Sequence, residues 1–125
     1  VNLTNDGWFH GSSELDQHLI TARFRCIETR TPMVRAVNTG ISAIIDGDGL
    51  VVDPEVFIDL EGMTDKTRRE SIRDPKTGAF YKQLHCAQVG PVPLDPRRSL
   101  YVRTGDWFAG LCGACCLCLL IAGAV

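Results

Sequence analysis

One end of this 125-residue chain has no charge at all. All 13 Lys and Arg and all 15 Asp and Glu residues precede Trp107, and the stretch WFAGLCGACCLCLLIAGAV, Trp107 to Val125, carries none. That absence excludes a solvated surface helix and leaves a membrane segment, a buried core helix or a removable lipid-anchor signal. A basic excess is also missing: the net charge is -2, and nothing argues for nucleic acid as a partner. Six cysteines are present, but no spacing among them resembles a disulfide framework. Four lie in the apolar run, where no histidine or acid accompanies Cys112, Cys115 and Cys116. Thiolates in hydrocarbon are costly, so these read as small packing residues rather than metal ligands. Bases are absent from Asp46 to Glu61, which holds six acids, whereas Met63 to Lys82 has six bases against three acids.

The apolar end is only just long enough to cross a bilayer. Nineteen residues reach about 28 Å at a helical rise, against a hydrocarbon core of roughly 30 Å. Phe108, Leu111, Leu117, Leu119, Leu120, Ile121 and Val125 contribute roughly -2 to -4 kcal/mol on an insertion scale, unopposed by charge. Tyr101 and Trp107 stand where an interfacial aromatic belt would sit. The expectation is a transmembrane helix over residues 105–125, after one compact domain over 1–104.

Within that domain, VNLTND alternates as a strand running into a polar turn, and Asn5 and Asp6 can hold the turn through side-chain hydrogen bonds to nearby backbone. Ser13 and Asp16 offer an imperfect capping box for a helix from Glu14 to about Arg30. Leu15, Leu19, Ala22 and Cys26 fall on one narrow stripe of it, and Ile20, Phe24 and Ile27 make a second apolar face, which predicts cover on both sides. Pro32 closes the element. MVRAVNTGISAIIDGDGLVVD then reads as two or three short strands broken at Asn38-Thr39-Gly40 and at Asp46-Gly47-Asp48-Gly49. The second break is a hairpin turn and not a calcium loop, since Leu50 and Val51 occupy positions that would need a ligand and a glycine. NLT matches a glycosylation sequon by pattern alone, and a residue within a strand is a poor acceptor. The basic excursion reads as a solvated loop or short helix that could touch lipid headgroups, and LHCAQVGPVPLD as a last strand. The class is α+β.

Other polar residues favour structural roles. His10, Glu14 and His18 are spaced like a metal-binding helix face, but His10 precedes the cap, so His18 reads as a hydrogen-bonded helix residue. Arg23, Arg25, Glu28 and Arg35 form a cluster read as architectural, with Arg25 and Glu28 three apart on the helix surface.

Three pieces in order carry a resemblance: NLTNDGWF, then QHLITARFRCIETRTPMVRAVNTGISAIIDGDG, then RRSLYVRTGDWF before the apolar end. They resemble the C-terminal half of bacterial apolipoprotein N-acyltransferases, membrane-bound members of the nitrilase, or carbon-nitrogen hydrolase, superfamily. Soluble nitrilases share the first two pieces more weakly, but not the third. The resemblance implies part of a nitrilase-like αββα sandwich followed by a C-terminal transmembrane helix, in the bacterial cytoplasmic membrane with the domain on the periplasmic side. The flanking Arg97, Arg98 and Arg103 would by charge alone favour the cytoplasm.

The implied reaction moves a fatty acyl group from a phospholipid donor, through a cysteine thioester, to the N-terminal amine of a lipoprotein acceptor, with no cofactor. A thiolate of this kind needs a base to form it and a cation or amides to hold the oxyanion. The family supplies Cys, Glu and Lys upstream of its Asn-Asp-aromatic loop, so the expectation is a fragment whose catalytic residues precede Val1. Cys26 and Cys86 are not substitutes: one sits on a buried stripe, and the other has no acid or base spaced to activate it beyond His85. By resemblance the loop borders the acyl pocket, with Trp8 and Phe9 against the acyl chain, Asn5 and Asp6 shaping the turn, and Asn38 and Thr39 in the same neighbourhood. Two rivals remain, a nitrilase-type amidase using water as acceptor and a non-catalytic membrane-anchored module.

Overall fold

A helix forms where the apolar period is cleanest. In the computed structural model, which describes residues 1–59 and 71–123, α1 (Glu14–Thr29) buries Leu15, Leu19, Ala22 and Cys26, the narrow stripe read from the sequence. Arg30 takes the left-handed conformation at the C-terminus, φ 55°, and Pro32 then prevents the helix from resuming. The start differs from the expected capping box. Ser13 makes no side-chain cap bond; the hydroxyl of Ser12 accepts from Glu14 N at 3.3 Å instead. Asp16 is drawn away to Lys82, 2.5 Å from its carboxylate, which leaves it unable to close the box.

Strand β1 (Asn2–Asn5) precedes the helix, and β2 (Met33–Asn38) follows and pairs with it in parallel. Strands β3 (Ala43–Ile45) and β4 (Val51–Val52) add antiparallel, giving one sheet in the order β1-β2-β3-β4. Both expected breaks are the turns between β2 and β3 and between β3 and β4. At the second, Gly49 adopts φ 75° and its backbone lies against Ile27, where an added Cβ would stand 2.7 Å from Cγ1, so glycine suits the position on both counts. Two further strands, β5 (Val56–Asp59) and β6 (Cys86–Val89), make a separate antiparallel pair. β6 is the expected last strand. β5 lies inside the acid-rich run and went unread.

The core joins Leu19, Ala22 and Cys26 of α1 to Ala43 and Ile45 on the sheet, with Met33 and Val51 packed alongside, and Phe57 and Ile72 close it. The class is α+β, as expected. The second face of α1 is not covered as the sequence predicts. Ile20, Phe24 and Ile27 are 45%, 64% and 39% exposed; among the described residues this side of the helix meets the β3–β4 turn at Gly49, and the short α2 (Leu100–Thr104) also approaches α1. From the basic excursion, residues 60–70 lie outside the described residues. The remainder is a tight turn in which Arg73 stacks over the Phe80 ring at 3.8 Å and Gly78 N donates to Asp74 O at 2.8 Å.

The apolar end forms α3 (Trp107–Gly123), 17 residues, or about 25 Å of helix. No helix among the described residues is long and apolar enough to cross a membrane. Of the helix expected over 105–125, residues 107–123 are helical, and residues 124–125 lie outside the described residues. α2 ends as Gly105, at φ 61°, donates its N–H to Tyr101 O at 2.7 Å, and α3 begins at Trp107, where the uncharged run begins. None of the described side chains of α3 is buried.

Candidate functional site

Parallel pairing sets Asn5 directly beside Asn38 at the carboxyl ends of β1 and β2, the end of a parallel pair from which loops commonly build sites. Asn5 Oδ1 accepts from Gly7 N at 3.1 Å, the turn-holding bond expected from its sequence position, and from Asn38 Nδ2 at 3.2 Å. Thr39 follows at φ 65°, in the left-handed region that a β-branched residue rarely enters. Its hydroxyl donates to Asn38 O at 2.6 Å. Backbone held in this way costs on the order of 1–3 kcal/mol and collects at functional sites.

Asp6 lies inside this corner, fully buried. Its Oδ1 accepts from Thr4 Oγ1 at 3.2 Å and from His18 Nδ1 at 3.0 Å, and its Oδ2 from Arg35 Nη2 at 3.1 Å. Arg35, 6% exposed, also donates to Asn2 Oδ1 at 2.9 Å. Gly40 fits against the same carboxylate, where a Cβ would stand 2.6 Å from Asp6 Oδ2 and 2.5 Å from Val37 Cγ1. Asp6 thus joins β1, α1, β2 and the β2–β3 turn. A buried charge this well partnered is architectural: removing one partner strands the other.

From that base rises a single 3-10 turn, Gly7–Phe9, none of whose residues is buried. Phe9 sets its ring edge-on to His18, centroids 5.0 Å apart at 77°. Trp8 points outward and is 82% exposed, so it is no core tryptophan. The structure therefore gathers Asn5, Asp6, Asn38 and Thr39 into one corner with Trp8 and Phe9 on the turn above it. His18 is the hydrogen-bonded helix residue expected. Its partner Asp6, and the tie from Arg35 to the same carboxylate, went unread because residues far apart in sequence meet only through the parallel crossover. Gln83 went unread as well: its N–H donates to Gly40 O at 3.1 Å, bringing the segment before β6 to the corner.

No family model matches the chain. The apolipoprotein N-acyltransferase of Rhodopseudomonas palustris is 54% identical over 93 residues, 74% of this chain and 16% of that protein. Those of Geobacter metallireducens and Rhodopirellula baltica are 37% and 36% identical over 91% and 94% of the chain. The chain corresponds to a segment of apolipoprotein N-acyltransferases. It spans about one-sixth of these relatives, covering 16% or 17% of each.

The two cysteines of this N-acyltransferase segment outside the apolar end sit in different settings. Cys26 is fully buried on α1, and burial, with a smaller contribution from Asp46, pushes its thiol pKa up. A raised pKa keeps it protonated and unreactive. Cys86 is half-buried on β6, with the Gln88 amide nitrogen 3.8 Å from its sulfur.

Away from the corner, charge gathers where the strap before α2 crosses the β3–β4 turn. Arg97 Nη2 bonds Asp48 and Asp95, each at 2.7 Å, and Arg30 reaches the other oxygen of Asp48. Asp95 packs on Gly47, where a Cβ would come within 2.2 Å of Oδ2. The Arg97 guanidinium and backbone N–H hold the Asp95 carboxyl down at about 2. Asp48 is lowered chiefly by the same guanidinium.

Proposed function

We propose that this chain is the C-terminal part of a membrane-bound apolipoprotein N-acyltransferase, which passes a fatty acyl group from a phospholipid to the N-terminal amine of a lipoprotein by way of a cysteine thioester. The identity to enzymes of that name across most of the chain carries the reading. The corner supports it. A strained Thr39, paired amides at Asn5 and Asn38, and an outward-facing Trp8 are what one wall of an apolar ligand site needs: rigid polar groups below, a large aromatic above.

On this reading the nucleophile, its base and the oxyanion-holding lysine lie outside the chain, in keeping with the unactivated setting of Cys26. Residues 1–104 are the end of a nitrilase-like αββα sandwich on the periplasmic side of the bacterial cytoplasmic membrane. The segment 105–125 is its membrane anchor, to which the uncharged, unburied α3 is suited. Trp8 and Phe9 contact the acyl chain, while Asn5, Asp6, Asn38 and Thr39 hold the wall in shape.

The test is a two-step labelling experiment on the full-length enzyme. With phospholipid carrying a labelled acyl chain and no acceptor, label should accumulate on protein in a hydroxylamine-sensitive form; adding a diacylated lipoprotein peptide should move it to that peptide's amine. Release of labelled free fatty acid without transfer would favour the amidase-type hydrolase. Absence of any protein-bound label would favour a non-catalytic module.

A further inference from the structure

The 3-10 turn that carries Trp8 has no buried residue of its own, so something else must hold it in place. Three contacts do. Phe9 N donates to Asp6 O at 3.1 Å, and Ser12 N donates to Phe9 O at 2.8 Å. The third is the His18 ring, which touches both ends of the problem: Nδ1 bonds the buried Asp6 carboxylate at 3.0 Å, and the ring meets the edge of Phe9. A carboxylate can only accept, so the Asp6 bond fixes the proton on Nδ1 and with it the plane of the ring.

We infer that His18 is a positioning residue: anchored by Asp6, it sets the Trp8–Phe9 turn against α1 and thereby determines where Trp8 stands over the Asn5–Asn38 corner. The inference deepens the acyl-pocket reading and rests on it for its catalytic consequence, though not for its structural one. The geometry suits the role. His18 is anchored to a fully buried group but its own side chain is 41% exposed, so it can be changed without opening the core. Asp6, by contrast, also satisfies Arg35 and Thr4 and cannot be removed cleanly. The aromatic edge contact gives the turn an orientation as well as a tether, since edge-to-face pairs are directional.

The experiment compares His18→Ala, His18→Asn, Trp8→Ala and the double variant His18→Ala/Trp8→Ala in the full-length enzyme. Asn places an amide N–H near the position of Nδ1 and restores the bond to Asp6. The first measurement is hydrogen exchange at the Phe9 and Ser12 amides. His18→Ala should speed exchange there about tenfold, the effect of losing one charge-assisted hydrogen bond, while α1 amides from Leu19 to Cys26 stay protected; His18→Asn should recover part of that protection. Unchanged exchange at Phe9 and Ser12, or equal loss along all of α1, would overturn the positioning role whatever the kinetics show.

The second measurement is single-turnover acylation. His18→Ala should slow it about tenfold in the wild-type background and by less than about twofold when Trp8 is already Ala, because both changes act through one aromatic. Full additivity would overturn the coupling to Trp8. Normal acylation in Trp8→Ala itself would refute the acyl-pocket reading, and the exchange data would still decide whether His18 holds the turn.

Discussion

Replacing Trp8 with alanine in the full-length enzyme separates a ligand-contacting tryptophan from a structural one. Trp8 is 82% exposed, so roughly a fifth of a ~250 Å² side chain, about 50 Å², is in contact with protein, worth ~1 kcal/mol at ~25 cal/mol per Å². A tryptophan in a packed core would cost about 3–5 kcal/mol on the same truncation. The turn below does not depend on the indole: Asn5 Oδ1 to Gly7 N and Phe9 N to Asp6 O persist when it is gone. If the indole lies against the acyl chain, acylation of the enzyme should fall by one to three orders of magnitude, or about 1.4–4 kcal/mol of transition-state stabilisation. Thermal unfolding and single-turnover acylation with a labelled phospholipid, measured on the same preparation, give both quantities. A loss of several kcal/mol in stability together with unimpaired acylation by the folded fraction would refute the reasoning.

Three other outcomes follow from the geometry. Arg35→Ala leaves the Asp6 carboxylate buried without its guanidinium and should destabilise the domain by about 3–5 kcal/mol, as read from urea titration; a change under about 1 kcal/mol would show that Asp6 is solvated or otherwise paired. Asp95, held at about 2 by Arg97, lies below the ordinary carboxylate value of about 3.9, so its contribution is present above that value and is lost as pH falls toward about 2. The stability gap between wild type and Asp95→Asn should accordingly be full at pH 6 and shrink as pH falls from about 4 through about 2; no gap at pH 6 contradicts the Asp95–Arg97 pairing. The 125-residue chain by itself should show no thiol burst with an activated acyl ester, because burial keeps Cys26 protonated; rapid stoichiometric acylation of Cys26 or Cys86 would place a nucleophile on this segment.

Local signals made much of the fold legible. The α1 stripe follows from the 3.6-residue period of Leu15, Leu19, Ala22 and Cys26, and the strand breaks follow from Asn-Thr-Gly and Asp-Gly, because backbone preferences at turns act over a few residues. Acidic residues obscured β5, whose Val56 and Phe57 pair with Val89 and Gln88; a strand only four residues long gains its stability from its partner and not from its own composition. The relation to N-acyltransferases was also readable, since motif order survives in one dimension.

Tertiary structure decided what each face and side chain meets. Periodicity shows that Ile20, Phe24 and Ile27 share a face, but only the position of the sheet shows that this face stays open. An uncharged run at the end of the chain reads as a membrane span, and its described residues form one helix, Trp107–Gly123, with no buried side chain. Asp6 could be read as a turn residue from its neighbours, yet its burial depends on Arg35 and His18, which reach it only because the crossover through α1 lays β2 parallel to β1. Sequence-local preferences fix the backbone's turns and periods; the cost of burying a charge, and hence its partners, is set by residues that only folding brings within 3 Å or so.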